Sequence, residues 1–98
     1  MKWPFDQPPN CATFVTRGLV EGGAPILFVS HDDDDHGWQF HDTLNAQAED
    51  ARIVCLSHVL EMDPTMYEFA DLPPGWTAWR KDVNSPWIRE PAPPDVET

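Results

Sequence analysis

Four consecutive aspartates, Asp32 to Asp35, interrupt an otherwise apolar stretch, PILFVSHDDDDHGWQFH, that runs from Pro25 to His41. Adjacent like charges repel and resist compaction, so this run has to be a connection rather than the interior of an element. The β-prone residues on either side predict two antiparallel strands, Ile26 to His31 and Gly37 to His41, joined across an acidic loop. The first carries apolar residues on both faces, which predicts an interior position in a sheet. Taking 32–36 as the loop puts Ile26 and Phe28 on the face of Trp38 and Phe40. An even-length loop would put those aromatics on the opposite face, so the register favours an odd one.

The rest of the chain supplies partners for this hairpin. Ala12 to Thr16 (ATFVT) reads as a short strand, and Arg17 to Glu21 as one helical turn or a tight connection closed by Gly22-Gly23. Residues 42–51 show no period. Arg52 to Leu56 (RIVCL) reads as a strand apolar on both faces, followed by Ser57 as N-cap of a short helix, His58 to Met62. Asp63-Pro64 pairs an N-cap with proline at the first helical position, predicting a helix to about Ala70 with Met66, Phe69 and Ala70 on one face. Leu72-Pro73-Pro74-Gly75 ends it, and Trp76 to Arg80 is the last predicted strand.

The predicted fold is therefore α+β: a small single domain over 12–90, mainly an antiparallel sheet of four to five strands, with one or two short helices after the fourth strand. Residues 1–11 form a proline-rich N-terminal extension that Trp3 and Phe5 can pin to the domain, and 91–98 (PAPPDVET) read as a disordered tail.

Six Lys and Arg against 17 Asp and Glu give a formal net charge of −11. That balance repels phosphate backbones and anionic membrane surfaces, which argues against nucleic-acid and membrane partners. It favours solubility, cation binding or steering toward a basic protein. Two cysteines, Cys11 and Cys55, do not make a disulfide scaffold, and Cys55 inside an apolar strand reads as a small buried hydrophobe. The first ten residues contain no apolar signal region, and no run approaches the ~18 apolar residues of a membrane span, so the expected location is cytoplasmic.

The aspartates invite a calcium reading, which fails. With Gly37 at position six of a calcium-binding helix–loop–helix, Thr43 falls at position twelve, where a bidentate glutamate belongs, and the flanks read as strands. A looser metal-binding domain built from His31, Asp32, Asp34 and His36 is the alternative to protein binding, since imidazole with carboxylate suits transition ions. No nucleophile elbow, phosphate loop or dinucleotide glycine pattern is present, and the chain is expected to be non-enzymatic and without a cofactor. Trp79 and Arg80 belong to the clustered basic region near the end of the chain, and Trp and Arg dominate binding hot spots. The residues expected to meet a partner are thus Asp32, Asp33, Asp34, Asp35, Trp79 and Arg80, with the aspartates presented at a hairpin tip.

The run FVTRGLVEGGAPILFVSHDDDDHGWQFHD resembles the first half of the bacterial immunity protein 33 family: a strand, a short turn ending in Gly, a second strand, an acidic loop, then the motif here written Gly37-Trp38-Gln39-Phe40. The second half is similar through Asp63-Pro64-Thr65 and Pro73-Pro74-Gly75, so the resemblance covers roughly 12–80. Gln39 stands where the family often has Arg, and the acidic loop is unusually pure in Asp. The resemblance implies an α+β domain and, for some relatives, a role as antitoxin to a secreted toxin, with a basic toxin domain as the partner.

Overall fold

Alternation of buried and exposed residues organises the chain into one six-stranded sheet with its helices on a single face. The computed structural model describes residues 3–34 and 36–92. In chain order these are β1 (Ala12–Thr16), α1 (Arg17–Glu21), β2 (Phe28–His31), β3 (Trp38–His41), a 3-10 turn (Ala48–Asp50), β4 (Ala51–Cys55), α2 (Leu56–Met62), a 3-10 helix (Pro64–Asp71), β5 (Trp76–Trp79) and β6 (Ile88–Pro91). The spatial order is β4-β1-β3-β2-β5-β6. Only β1 with β3 is parallel; the other pairings are antiparallel.

The domain is α+β as predicted, with six strands rather than four or five. The additional strand, β6, is exposed along its whole length and bounded by prolines, so it shows neither alternation nor an apolar run. Its last residue is Pro91, the first of the segment read as a tail, and Ala92 donates to Gly75 O at 2.7 Å. Residues 93–98 lie outside the described residues.

The hairpin register differs from the expectation. His31 pairs with Trp38 and Val29 with Phe40, so Trp38 and Phe40 share a face with Val29 and His31, not with Phe28. A further bond, Asp32 N–H to Gly37 O at 2.8 Å, extends the ladder by one pair, so that four positions separate the last paired residues. His36 closes this connection in the left-handed region at φ 57°, a conformation usually left to glycine. The even loop is what reverses the faces.

With this register one sheet face is apolar and covered. Val15, Phe40, Val29 and Ala78 form a row across four strands, each 1% exposed or less. Leu56, Val59 and Leu60 of α2, Met66 and Phe69 of the 3-10 helix, Leu19 of α1 and Leu72 close over it. Asp63 caps the 3-10 helix, its carboxylate accepting from Thr65 N–H at 3.0 Å, with Pro64 at the first position as expected. Gly75, at φ 85°, provides the left-handed step between this helix and β5. The start of α2 differs: Cys55, not Ser57, is its N-cap, without a side-chain bond. Among the described residues no helix is long and apolar enough to cross a membrane.

Strand β4 also departs from its reading. It is an edge strand, and Ile53 stands 66% exposed because no neighbour covers it. Cys55 is exposed and both cysteines are free. Pairing of Cys55 with Ala12 puts the Cys11 and Cys55 side chains on opposite sides of the ladder.

The N-terminal extension is part of the domain. Phe5 is 6% exposed and meets Trp38 edge-on at 5.3 Å, while Trp3 packs against Tyr67 at 6.2 Å. Gln7 then clamps the hairpin: its Oε1 accepts the Trp38 indole N–H at 2.8 Å, and its Nε2 donates to His36 O at 2.7 Å. Trp38 is buried, so Gln7→Ala leaves its indole without a partner and is expected to lower unfolding stability by about 1–3 kcal/mol. Urea denaturation of the two proteins, with unchanged slope, checks this.

Candidate functional site

Because the helices occupy one face, residues of the opposite parity form an open face. Across it run Ile53, Phe14, Gln39, Ser30, Thr77 and Glu90, one from each strand. A second row brings Phe28 beside His41 and Trp79, with Ile88 next to Trp79. The centre is polar and tightly bonded. The Asp32 carboxylate accepts from Ser30 Oγ at 2.7 Å and from Gln39 Nε2 at 2.9 Å. Gln39 Oε1 is then left facing His41 Nε2 at 3.1 Å, which assigns the imidazole proton to Nε2. His41 stacks on Phe28 with centroids 5.0 Å apart.

Burial pushes the His41 pKa below the usual histidine range, against the opposing pull of Asp32 and Asp42. Two shallow depressions share this residue. One of about 380 Å³ lies between Phe28, His41 and the 44–47 segment. The other, about 210 Å³, lies beside Phe14 and Gln39. The segment after β3 is held by Asp42, whose carboxylate accepts from Thr16 Oγ1 at 2.6 Å. Gly18 permits this approach, since a Cβ there would run into the Asp42 carboxylate.

The predicted site residues separate on this frame. Asp32 is engaged in the open-face network and is not held out at the tip. Asp33 and Asp34 are exposed, with Asp33 beside Gly75; Asp35 lies outside the described residues. Trp79 shares the open face, its indole donating to Glu90 Oε1 at 3.2 Å. It pairs with Phe28, three residues along β2 from His31, or roughly 10 Å from the turn end of the strand. Arg80 faces the other way and is an internal strut: Nε and Nη2 donate to Ile26 O at 3.1 and 2.9 Å, with the guanidinium 4.5 Å from the Trp87 ring centroid.

The alternative metal set divides between the two faces. His31 is 5% exposed on the helix side, stacked on Trp38 at 4.0 Å, with Nδ1 donating to Leu72 O at 2.6 Å. Its Nε2 is buried and has no hydrogen-bond partner among the described residues. Asp32 spends both oxygens on the opposite face, and His36 is exposed with its ring 6.3 Å from that of His31. No group of three or more His, Cys, Asp and Glu among the described residues is placed to hold a metal ion.

Phe14, Ile53 and Ile88, at 49%, 66% and 42% exposure, are exposed apolar residues of the open face that sequence reasoning passed over. Phe14 lies in a strand read from its β-propensity and Ile53 in one read as apolar on both faces, and the strand order together with the open face reveals how little covers them. No known protein family, curated protein or solved structure matches the chain.

The lowered His41 pKa has a signed consequence. Between the folded value and the ordinary value of about 6.5, the unfolded chain binds the proton and the folded one does not. Stability from this residue is therefore fully present above about pH 6.5, falls as the pH drops below it, and levels off beneath the folded value. Urea midpoints measured from pH 8 to pH 5 are expected to fall further for the native protein than for His41→Gln; parallel curves would contradict the assignment.

Proposed function

We propose that this chain is a non-enzymatic, acidic protein-binding domain that engages a basic protein, in the manner of an immunity protein neutralising a toxin domain. The observation that carries the reading is how its cations are used. Arg17 pairs with Asp50, Arg52 with Glu21 and Arg89 with Asp71, while Arg80 is committed to Ile26 O and Trp87. With four of the six basic residues tied up internally, the net charge of −11 is expressed outward, and Asp33 and Asp34 stand exposed at one end of the sheet.

Such a field raises the rate of encounter with a basic partner and penalises acidic ones. A binding role also agrees with the shallow, open form of both depressions around His41 and with a histidine whose Nε2 proton is held by an amide rather than aimed at a nucleophile. The immunity assignment itself rests on the resemblance through Gly37-Trp38-Gln39-Phe40 and Asp63-Pro64-Thr65.

The test is co-purification with the product of each adjacent reading frame, followed by association kinetics. A basic partner is expected whose association rate falls about tenfold or more between low and high salt, because a Debye length of ~10 Å at 0.1 M screens exposed charges. Asp33→Asn with Asp34→Asn is expected to slow association severalfold and leave the thermal midpoint unchanged. Binding that ignores both salt and this double substitution would overturn the electrostatic reading.

A further inference from the structure

We propose that the open sheet face is the docking surface, and that its occupant is an arginine-bearing segment of a basic protein; this rests on the reading of the chain as a binder of such a protein. The face combines exposed apolar groups with charge of one sign. Phe14, Ile53 and Ile88 are 49%, 66% and 42% exposed there, alongside the Phe28–His41 stack and Trp79. Its charged strand side chains are Asp32 and Glu90. No strand residue on this side is Lys or Arg, because Arg52 and Arg89 pair with the buried Val15 and Ala78 and so take the helix side.

The helix side shows what such a combination accepts. There Arg89 lies 4.8 Å from the Phe69 ring centroid and bonds the Asp71 carboxylate at 2.8 Å. Aromatic ring, carboxylate and guanidinium form one unit. On the open face Trp79 and the Glu90 carboxylate are joined at 3.2 Å, and the Phe28–His41 stack lies beside the Asp32 network. These are ring and carboxylate pairs against which no guanidinium is placed among the described residues. Arginine fits them better than lysine, since its planar group stacks on a ring while pairing with a carboxylate. A second copy of the chain is a poor occupant, because it would bring −11 against −11.

The probe is a short amidated peptide of arginine, tryptophan and glycine, with a counterpart in which every arginine is lysine, titrated into the full chain at low salt. Amide resonance shifts are expected at Phe14, Gln39, Phe28 and Trp79. The lysine peptide is expected to bind about fivefold or more weakly. Phe14→Ser with Ile53→Ser, at two exposed positions, and separately the isosteric Glu90→Gln, are each expected to weaken binding by about tenfold while keeping the native amide spectrum. Equal binding of the two peptides, shifts confined to Asp33 and Asp34, or full affinity in both variants would overturn this surface while leaving the acidic-binder reading standing. Concentration-dependent shifts on the face without peptide would assign it to a second copy instead. No binding of either peptide at low salt would overturn this surface, while the acidic-binder reading is decided separately by the salt dependence of association with the adjacent-frame product.

Discussion

The pairing of His31 with Trp38 at the end of the β2–β3 ladder decides which side of this protein is its interior. It leaves an even number of residues between the two strands, and the Asp32 N–H to Gly37 O bond continues the ladder by one pair without altering that parity. Trp38, Phe40, Val29 and His31 therefore go to one face and Phe28, Ser30, Gln39 and His41 to the other. Were the connection one residue different, two of the largest core side chains would exchange sides with an amide and an imidazole. His36 bears the conformational cost by taking a left-handed backbone. Gln7 holds it there, bonding the His36 carbonyl and the Trp38 indole with one amide group. The extension at the start of the chain is thus fastened to the turn whose geometry sets the register.

The same parity explains the division of charge. Arg52 and Arg89 fall on the helix side, at the two edge strands, where their stems cover the margins of the core and their heads find Glu21 and Asp71. Asp32 and Glu90 fall on the open side, where no helix supplies a cation. A sheet antiparallel in all but its β1–β3 pairing tolerates water on one face, so nothing in the fold requires that side to be covered.

Local chemistry made several elements legible in the sequence. Asp63-Pro64 marks the start of the 3-10 helix and Leu72-Pro73-Pro74-Gly75 its end, because a cap, a fixed φ and a left-handed glycine act within a few residues. The strands around Phe14, Val29, Phe40 and Ile53 were legible as strands for the same reason. What was not legible depended on distant partners. Ile53 reads as interior until β4 turns out to lack a neighbour on one side. β6 has no alternation to betray it and exists because Trp76 to Trp79 offers it an edge. Arg80 looked like a surface cation until Ile26 O, far away in sequence, was placed beneath it. The aspartates were visible as a group, but the fold divides them: Asp32 is spent on Ser30 and Gln39, and Asp33 and Asp34 remain outward.

An open face with Phe14 and Ile53 exposed next to an edge strand is, by itself, an invitation to self-association. Two features oppose it. Arg52 folds back on the edge, its Nη1 donating to Ala51 O at 3.0 Å, which removes one acceptor that an added strand would need. At the other edge Pro91 has no N–H to offer a further strand. The acidity adds a longer-range barrier, because any second copy approaches with the same sign of charge. In the proposed role, the charge that would steer a basic protein to this face also keeps the apolar face from meeting its own kind, and a surface that stays exposed in the free chain gains more from uniform charge than from a balanced one.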